Sequence, residues 1–316
     1  MSASPPDHLE NRLPEPVLVI GEALVDLIRR PGQRTVARVG GSPLNVAVGL
    51  SRLDVPAALH TSLGVDDDYG AMIEVHLAEN DVTLVAPATA RRTSTATAII
   101  DDEGAASYEF DLEWALEPVE VGAPRLVHTG SIGALLAPGA AVAMDAVRRL
   151  RPSATVSYDP NVRPALMGDR DSARARIEEL VGLADVVKAS SEDLAWLYPG
   201  EDLDAVAARW LALGPALVVV THGADGSYAV TVGAAARVPV PDVALVDTIG
   251  AGDSFMAGLL AALSDADLLG REHEKRLRAL DEDALRSLLG FAAACAAVTV
   301  SRPGADPPRR DALAVG

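Results

Sequence analysis

The chain is 316 residues long, 49% hydrophobic, and carries 27 basic against 45 acidic residues for a net charge of −18. That length buries one large core, or a core with a small appended unit. The acidic surplus has no compensating basic stretch, which disfavours nucleic acid and anionic membranes and leaves small molecules as the expected partners.

The opening stretch MSASPPDHLENRLPEP has neither a basic start nor an apolar run, so residues 1–14 read as a flexible tail and the protein as cytoplasmic. Uncharged runs elsewhere reach roughly fifteen residues and contain Gly or Pro, short of the ~20 that span a bilayer. Residues 16–20 form a buried strand. Shorter strands at 24–29 and 35–39 flank a Pro31-Gly32 turn. Gly40-Gly41-Ser42-Pro43-Leu44-Asn45 then opens an apolar helix over 46–53, with Ser42 as N-cap and Pro43 at the first helical position. A cap leaves the paired glycines and Asn45 unexplained, whereas exposed backbone beside an amide suits a polyhydroxyl ligand.

Strands at 95–100 and 107–112 flank Asp101-Asp102-Glu103-Gly104, a hairpin signal. Residues 23–39 and 88–118 therefore form a small β-sheet inserted into an α/β body of 15–22, 40–87 and 119–316. A sheet without its own core suits a lid that shuts water out of a reaction. The competing reading makes these strands an extension of the main sheet's edge.

From about residue 121, β-branched runs alternate with amphipathic segments, the pattern of a parallel sheet covered on both faces. Strands fall at 125–128, 154–158, 185–188 and 216–221, and helices at 140–150, 171–183 and 203–213. Ligands collect beyond the carboxyl ends of such strands. Polar residues stand there: His128, Gly130 and Ser131; Asp159, Asn161 and Arg163; Ser190 to Asp193; Thr221, Gly223 and Gly226.

A strand-like run at 240–246 leads into Asp247-Thr248-Ile249-Gly250-Ala251-Gly252-Asp253-Ser254-Phe255-Met256 and an apolar helix. Gly250 and Gly252 allow a tight turn, after which the amides of Ala251, Gly252 and Asp253 point outward without carbonyl partners. With the helix dipole they make an anion hole for phosphate. An acid, Asp253, sits in that first turn. Capping explains one acid, but accepting the proton of a hydroxyl that attacks the phosphate explains the whole arrangement, with Asp247 as a second charge toward a metal ion. A dinucleotide fingerprint fails because its third small position falls at Phe255. A Walker loop fails because neither lysine, Lys188 or Lys275, follows a glycine, and a nucleophile elbow at Ser254 would need Gly where Met256 stands. Late in the chain the lone Cys295 lies in a helical run over 291–300 and reads as buried and inert.

Together the two glycine segments, in this order and spacing, resemble the PfkB, or ribokinase-like, carbohydrate kinases over nearly the whole chain. Gly21 to Asp26 (GEALVD), Tyr158 to Arg163 (YDPNVR) and Arg302-Pro303-Gly304-Ala305 resemble the fructokinase branch. The resemblance implies a three-layer α/β/α fold with a small β-sheet lid, ATP and Mg²⁺ as cofactors, and phosphorylation of a sugar hydroxyl, with fructose the expected sugar and ribose or 2-keto-3-deoxygluconate the alternatives. A silent sugar or nucleotide sensor is the non-enzyme alternative. Asp253 becomes the catalytic base, and Gly250, Ala251 and Gly252 the anion hole. Asp26, Gly41, Asn45 and Arg163 take the sugar, with Arg163 and Arg92 the candidates to meet a sugar carboxylate. Lys188, Ser190, Thr221, Gly223 and Gly226 fall on the nucleotide side. Glu192 or Asp193 would organise Mg²⁺ through water, although a helix-start acid is the competing reading. Residues 292–299 would pack near adenine. Asp247 and residues 302–305 would border a monovalent cation such as K⁺. Exposed lid edges make a homodimer through the lid an expectation.

Overall fold

The structure is a computed structural model that describes residues 17–85, 90–100 and 106–313. The expected tail at 1–14 and the hairpin turn at 101–104 lie outside the described residues. The first strand, β1 (Val17–Ile20), sits in the body, after which the chain crosses into a second sheet for β2 (Leu24–Arg29) and β3 (Val36–Gly40). Helix α1 (Ser42–Arg52) returns it to the body, followed by β4 (Ala57–His60), α2 (Asp68–Glu79) and β5 (Thr83–Leu84). A second excursion supplies β6 (Ser94–Ile100) and β7 (Ala106–Asp111).

The rest alternates: β8 (Leu126–Gly130), α3 (Gly139–Leu150), β9 (Thr155–Asp159), the short α4 (Pro164–Met167), α5 (Arg170–Leu183), β10 (Val186–Ser190), α6 (Ser191–Leu197), α7 (Leu203–Leu213) and β11 (Leu217–Thr221). A hairpin of β12 (Ser227–Val230) and β13 (Ala235–Val238) precedes α8 (Ala251–Asp265), the short α9 (Glu274–Arg278) and α10 (Glu282–Val300).

The body sheet runs β13-β12-β11-β10-β9-β8-β1-β4-β5, parallel except for the β12–β13 hairpin at one edge. Both faces are covered, and the strand sequences show why. Val17 and Val19 join one apolar cluster with α1, α8 and α10, while Leu18 and Ile20 join the other with α3, α5 and α7. Leu217 and Val219 divide from Val218 and Val220 in the same way. Alternation along each strand therefore serves two cores, and near-continuous apolar runs result.

The small sheet is separate, ordered β3-β2-β6-β7, so it does not extend the body's edge. One face, with Val25, Leu27, Ala37 and Val39, packs beside Tyr69 of α2. The opposite face carries Asp26 between Arg38 and Ala96, with Phe110 beyond Ala96.

Two expectations need correction. Residues 240–246 form no strand. Pro239 and Pro241 remove ladder donors on either side of Val240, and Val240, Val243, Leu245 and Val246 lie exposed. Ser42 is not the cap of α1: Gly41 takes that position with φ 111°, and the Ser42 side chain turns elsewhere. Among the described residues, α10 is long and apolar enough to cross a bilayer by length and composition. It packs instead on α8, where a Cβ on Gly258 would lie 2.9 Å from Cys295 Sγ. Cys295 is buried there, and burial pushes its thiol up to about 12.

Candidate active site

Gly250, just ahead of α8, adopts φ 76° and ψ 1°. A Cβ there would come within 2.6 Å of Ala305 Cβ, so both conformation and space require glycine. Of the three amides expected to be free, that of Ala251 reaches the Thr248 carbonyl at 3.3 Å, because the turn tightens before the helix begins. Those of Gly252 and Asp253 have no carbonyl partner among the described residues. Asp253 is buried, at 9% exposure. Ser42 Oγ donates to its Oδ1 at 2.6 Å and Asn45 Nδ2 donates to its Oδ2 at 2.8 Å. The helices approach closely enough because a Cβ on Gly49 would lie 2.6 Å from Ala257 Cβ. The two glycine segments of the sequence thus meet at one carboxylate.

Asp26 faces the same space from the small sheet, its carboxylate filling the position a side chain on Gly40 would need. Burial pushes Asp26 up to about 6, with Asp253 adding to the rise and Arg163 opposing it. Arg163 is exposed. Its Nη1 donates to the Asn161 carbonyl at 3.1 Å and to Asn161 Oδ1 at 2.7 Å. Gly41 is confined too: a Cβ would stand 2.6 Å from the Glu22 carbonyl. Arg92 is engaged in an exposed ion pair with Asp111.

On the other flank, Lys188 and Asp159 form a buried pair, Nζ to Oδ2 at 2.8 Å. Burial works against the lysine's charge, but Asp159, Asp193 and Asp253 outweigh it and hold the ammonium above its usual range. Burial lifts Asp159 to about 6, Lys188 opposing. Lys188 Nζ stands 3.1 Å from where a Cβ on Gly252 would be, so the ammonium points at the first turn of α8. Thr221 ends β11, and Gly223 and Gly226, at φ 54° and 96°, turn the chain into β12. The buried face of α10, which includes Ala292, Ala293 and Thr299, packs on the core beside α8.

Asp193 has a structural task. Its Oδ2 accepts the Ser190 N–H in a capping box at α6, and its Oδ1 accepts the Val162 N–H at 2.7 Å, which holds the loop bearing Arg163. Glu192 is exposed. Asp247 accepts from the Ile249 amide at 3.1 Å and the Gly304 amide at 2.8 Å, joining the turn before α8 to residues 302–305. No cluster of three or more His, Cys, Asp or Glu side chains suited to a metal forms among the described residues. Asp193 and Asp247 spend their oxygens on backbone amides, which suits a metal held by a nucleotide's oxygens and water rather than by a protein cage.

The family description "pfkB family carbohydrate kinase" matches residues 15–312. The chain belongs to the pfkB family of carbohydrate kinases. It is 36% identical over 283 residues to a fructokinase of Rhizobium leguminosarum bv. trifolii, covering 86% of each chain. The crystal structure of a fructokinase with bound ATP from Xylella fastidiosa superposes with a TM-score of 0.83 at 28% identity, covering 96% of this chain and 98% of the other. Aminoimidazole riboside kinase from Salmonella enterica, complexed with aminoimidazole riboside and an ATP analog, gives 0.77 at 28% identity, over 94% and 98%. This pfkB chain therefore has the ribokinase-like fold and is a sugar phosphotransferase.

Three residues of this kinase's site have roles that the sequence left unassigned. Ser42 reads as a cap, and only the α1–α8 contact reveals its partner. Asp159 stands in a polar cluster with no stated task, although a buried lysine requires such an acid. Glu22, in the segment that crosses between the sheets, is 4% exposed and accepts the Gly133 N–H at 2.8 Å. Burial pushes it up to about 7 against hydrogen bonds from Ser131 and Gly133. A charged residue two positions past a buried strand was the signal available for it.

Proposed function

We propose that the chain transfers the γ-phosphoryl group of ATP to the primary hydroxyl of a sugar, with D-fructose giving fructose 6-phosphate as the leading reaction. The observation that carries this reading is the Asp253 carboxylate, held by Ser42 and Asn45 beside the unpartnered amides of Gly252 and Asp253. A silent binder has no need of a base among phosphates. Asp253 takes the hydroxyl proton as the sugar oxygen bonds to phosphorus in line, while the bond from phosphorus to the ADP oxygen breaks. The first turn of α8, shaped by Gly250, Ala251 and Gly252, stabilises charge on the transferring group, and Lys188 adds a cation to it.

Asp26, Asn45, Arg163 and the backbone at Gly41 hold the sugar. The nucleotide phosphates lie toward Lys188, Ser190, Thr221, Gly223 and Gly226. Bound Mg²⁺ would neutralise phosphate oxygens, and Glu192, exposed in α6, is the acid that would meet its waters. The small sheet closes over the sugar and excludes water. A cytoplasmic setting suits a consumer of ATP, and the free β3 and β7 edges of the small sheet suit pairing between two copies.

Arg92 is paired with Asp111, which leaves Arg163 as the one of the two arginines to meet a sugar carboxylate, so it is the relatives that favour a neutral sugar. The relatives named fructokinase support fructose within that class. The test is ADP release measured over fructose, ribose, 2-keto-3-deoxygluconate and aminoimidazole riboside. The expected result is the highest kcat/KM with fructose. A higher value with any other compound reassigns the substrate, and sugar binding without ADP release overturns the kinase reading.

A further inference from the structure

Arg38 stands in β3 opposite Asp26, exposed on the face of the small sheet that looks toward α8. Among the described residues its guanidinium has no hydrogen bond or ion pair. It is nevertheless placed. Nη1 lies 3.0 Å from where a Cβ on Gly304 would be. Gly304, at φ 77°, donates its N–H to Asp247 Oδ2, and the next residue, Ala305, packs on Gly250. Burial alone would raise Asp247, but the Ile249 and Gly304 amides and the Arg38 charge outweigh it and hold the carboxyl below its usual range. A row of contacts therefore runs from the small sheet to the anion hole: Arg38, Gly304, Asp247 with Ala305, then Gly250.

Sequence resemblance puts a monovalent cation at this loop, where donors are already engaged. Both Asp247 oxygens accept amides, and the Val300 carbonyl accepts from Val246 at 2.8 Å and Asp247 at 3.2 Å. A guanidinium at Gly304 also repels a second cation. We propose that Arg38 supplies, from the small sheet, the positive charge that steadies the Asp247–Gly304 clasp behind the anion hole, in place of a monovalent ion. The inference rests on the kinase reading for its catalytic consequence. Arg38 acts through Asp247 and Gly304, so it is a positioning residue. Because the charge travels with the small sheet, the anion hole is fully ordered only when that sheet is seated.

The test compares wild type, Arg38→Ala and Arg38→Lys in buffers whose monovalent cation is K⁺, Na⁺ or tetramethylammonium. Sugar-dependent ADP release and thermal unfolding are both measured. Wild type should turn over equally in all three salts, and K⁺ should not raise its melting temperature relative to tetramethylammonium. Arg38→Ala in tetramethylammonium should lose kcat on the order of tenfold with little change in sugar KM. K⁺ or methylguanidine should restore much of that loss, K⁺ should raise the variant's melting temperature, and Arg38→Lys should retain most of the activity. K⁺ activation or K⁺ stabilisation of wild type overturns the proposal, as does full activity of Arg38→Ala in tetramethylammonium. If wild type releases no ADP with any sugar, the kinase reading fails separately, and the salt dependence of unfolding still decides the role of Arg38.

Discussion

Ser42 donates a 2.6 Å hydrogen bond to Asp253 from 211 residues away in the chain. The bond is buried and fixes the carboxylate's rotation, which Asn45 alone leaves free about one oxygen. Ser42→Ala should therefore lower kcat by about tenfold, with sugar KM unchanged and stability reduced by about 1 kcal/mol. Asn45→Ala should raise KM as well, since in the proposed complex its amide also faces the sugar. Steady-state kinetics beside denaturant melts separate the two, and a Ser42→Ala variant that loses stability but keeps its kcat would refute the positioning role.

Asp26 gives the site an acid limb. Burial lifts its carboxyl to about 6, so as pH falls through that value it takes up a proton and, in the role proposed for it, loses an acceptor for sugar hydroxyls. The expected profile is kcat/KM for the sugar falling below about pH 6, with kcat less affected. Arg163 pulls the same group down, so Arg163→Met should move the limb to higher pH, whatever it does to the plateau. A limb that stays in place in Arg163→Met excludes Asp26 as its source.

Gly250→Ala places a Cβ where φ is 76° and within 2.6 Å of Ala305 Cβ. The left-handed conformation alone costs about 1–2 kcal/mol, and relief requires the turn to move. Because that turn aims the Gly252 and Asp253 amides, kcat should fall on the order of a hundredfold while the fold survives. Kinetics with circular dichroism check this, and a variant that is destabilised yet turns over normally would detach the turn from catalysis.

Much of this was legible in the sequence because apolar alternation and glycine placement act locally. The strands around Val186 to Lys188 and Leu217 to Thr221 were readable, but β8, β9 and β10 run on to Gly130, Asp159 and Ser190. Polar residues stay in the ladder at the edge where the site forms, and hydrophobicity cannot see them. The segment at 240–246 misled for the converse reason: valines signal a strand while the prolines forbid its ladder. Ser42, Arg38 and Glu22 depend on contacts between distant elements, namely α8, the turn at Gly304 and the turn at Gly133. No local pattern encodes those partners.

The Lys188–Asp159 pair should dominate the pH dependence of stability once it is broken. Lys188→Met leaves Asp159, 1% exposed, without its cation, a loss of about 3–5 kcal/mol at neutral pH. The wild-type carboxyl is already raised to about 6, with the lysine opposing the rise, so removing the lysine raises it further. A carboxyl raised above its unfolded value favours the native state at low pH and loses that contribution as pH climbs through the folded value. Lys188→Met should thus be far less destabilised at about pH 5 than at about pH 8. Adding Asp159→Asn should recover most of the stability at the higher pH without restoring turnover, because the cation aimed at the first turn of α8 is still missing. Denaturant midpoints for the single and double variants at the two pH values decide it, and a pH-independent penalty in Lys188→Met would mean the lysine matters for packing and not for charge.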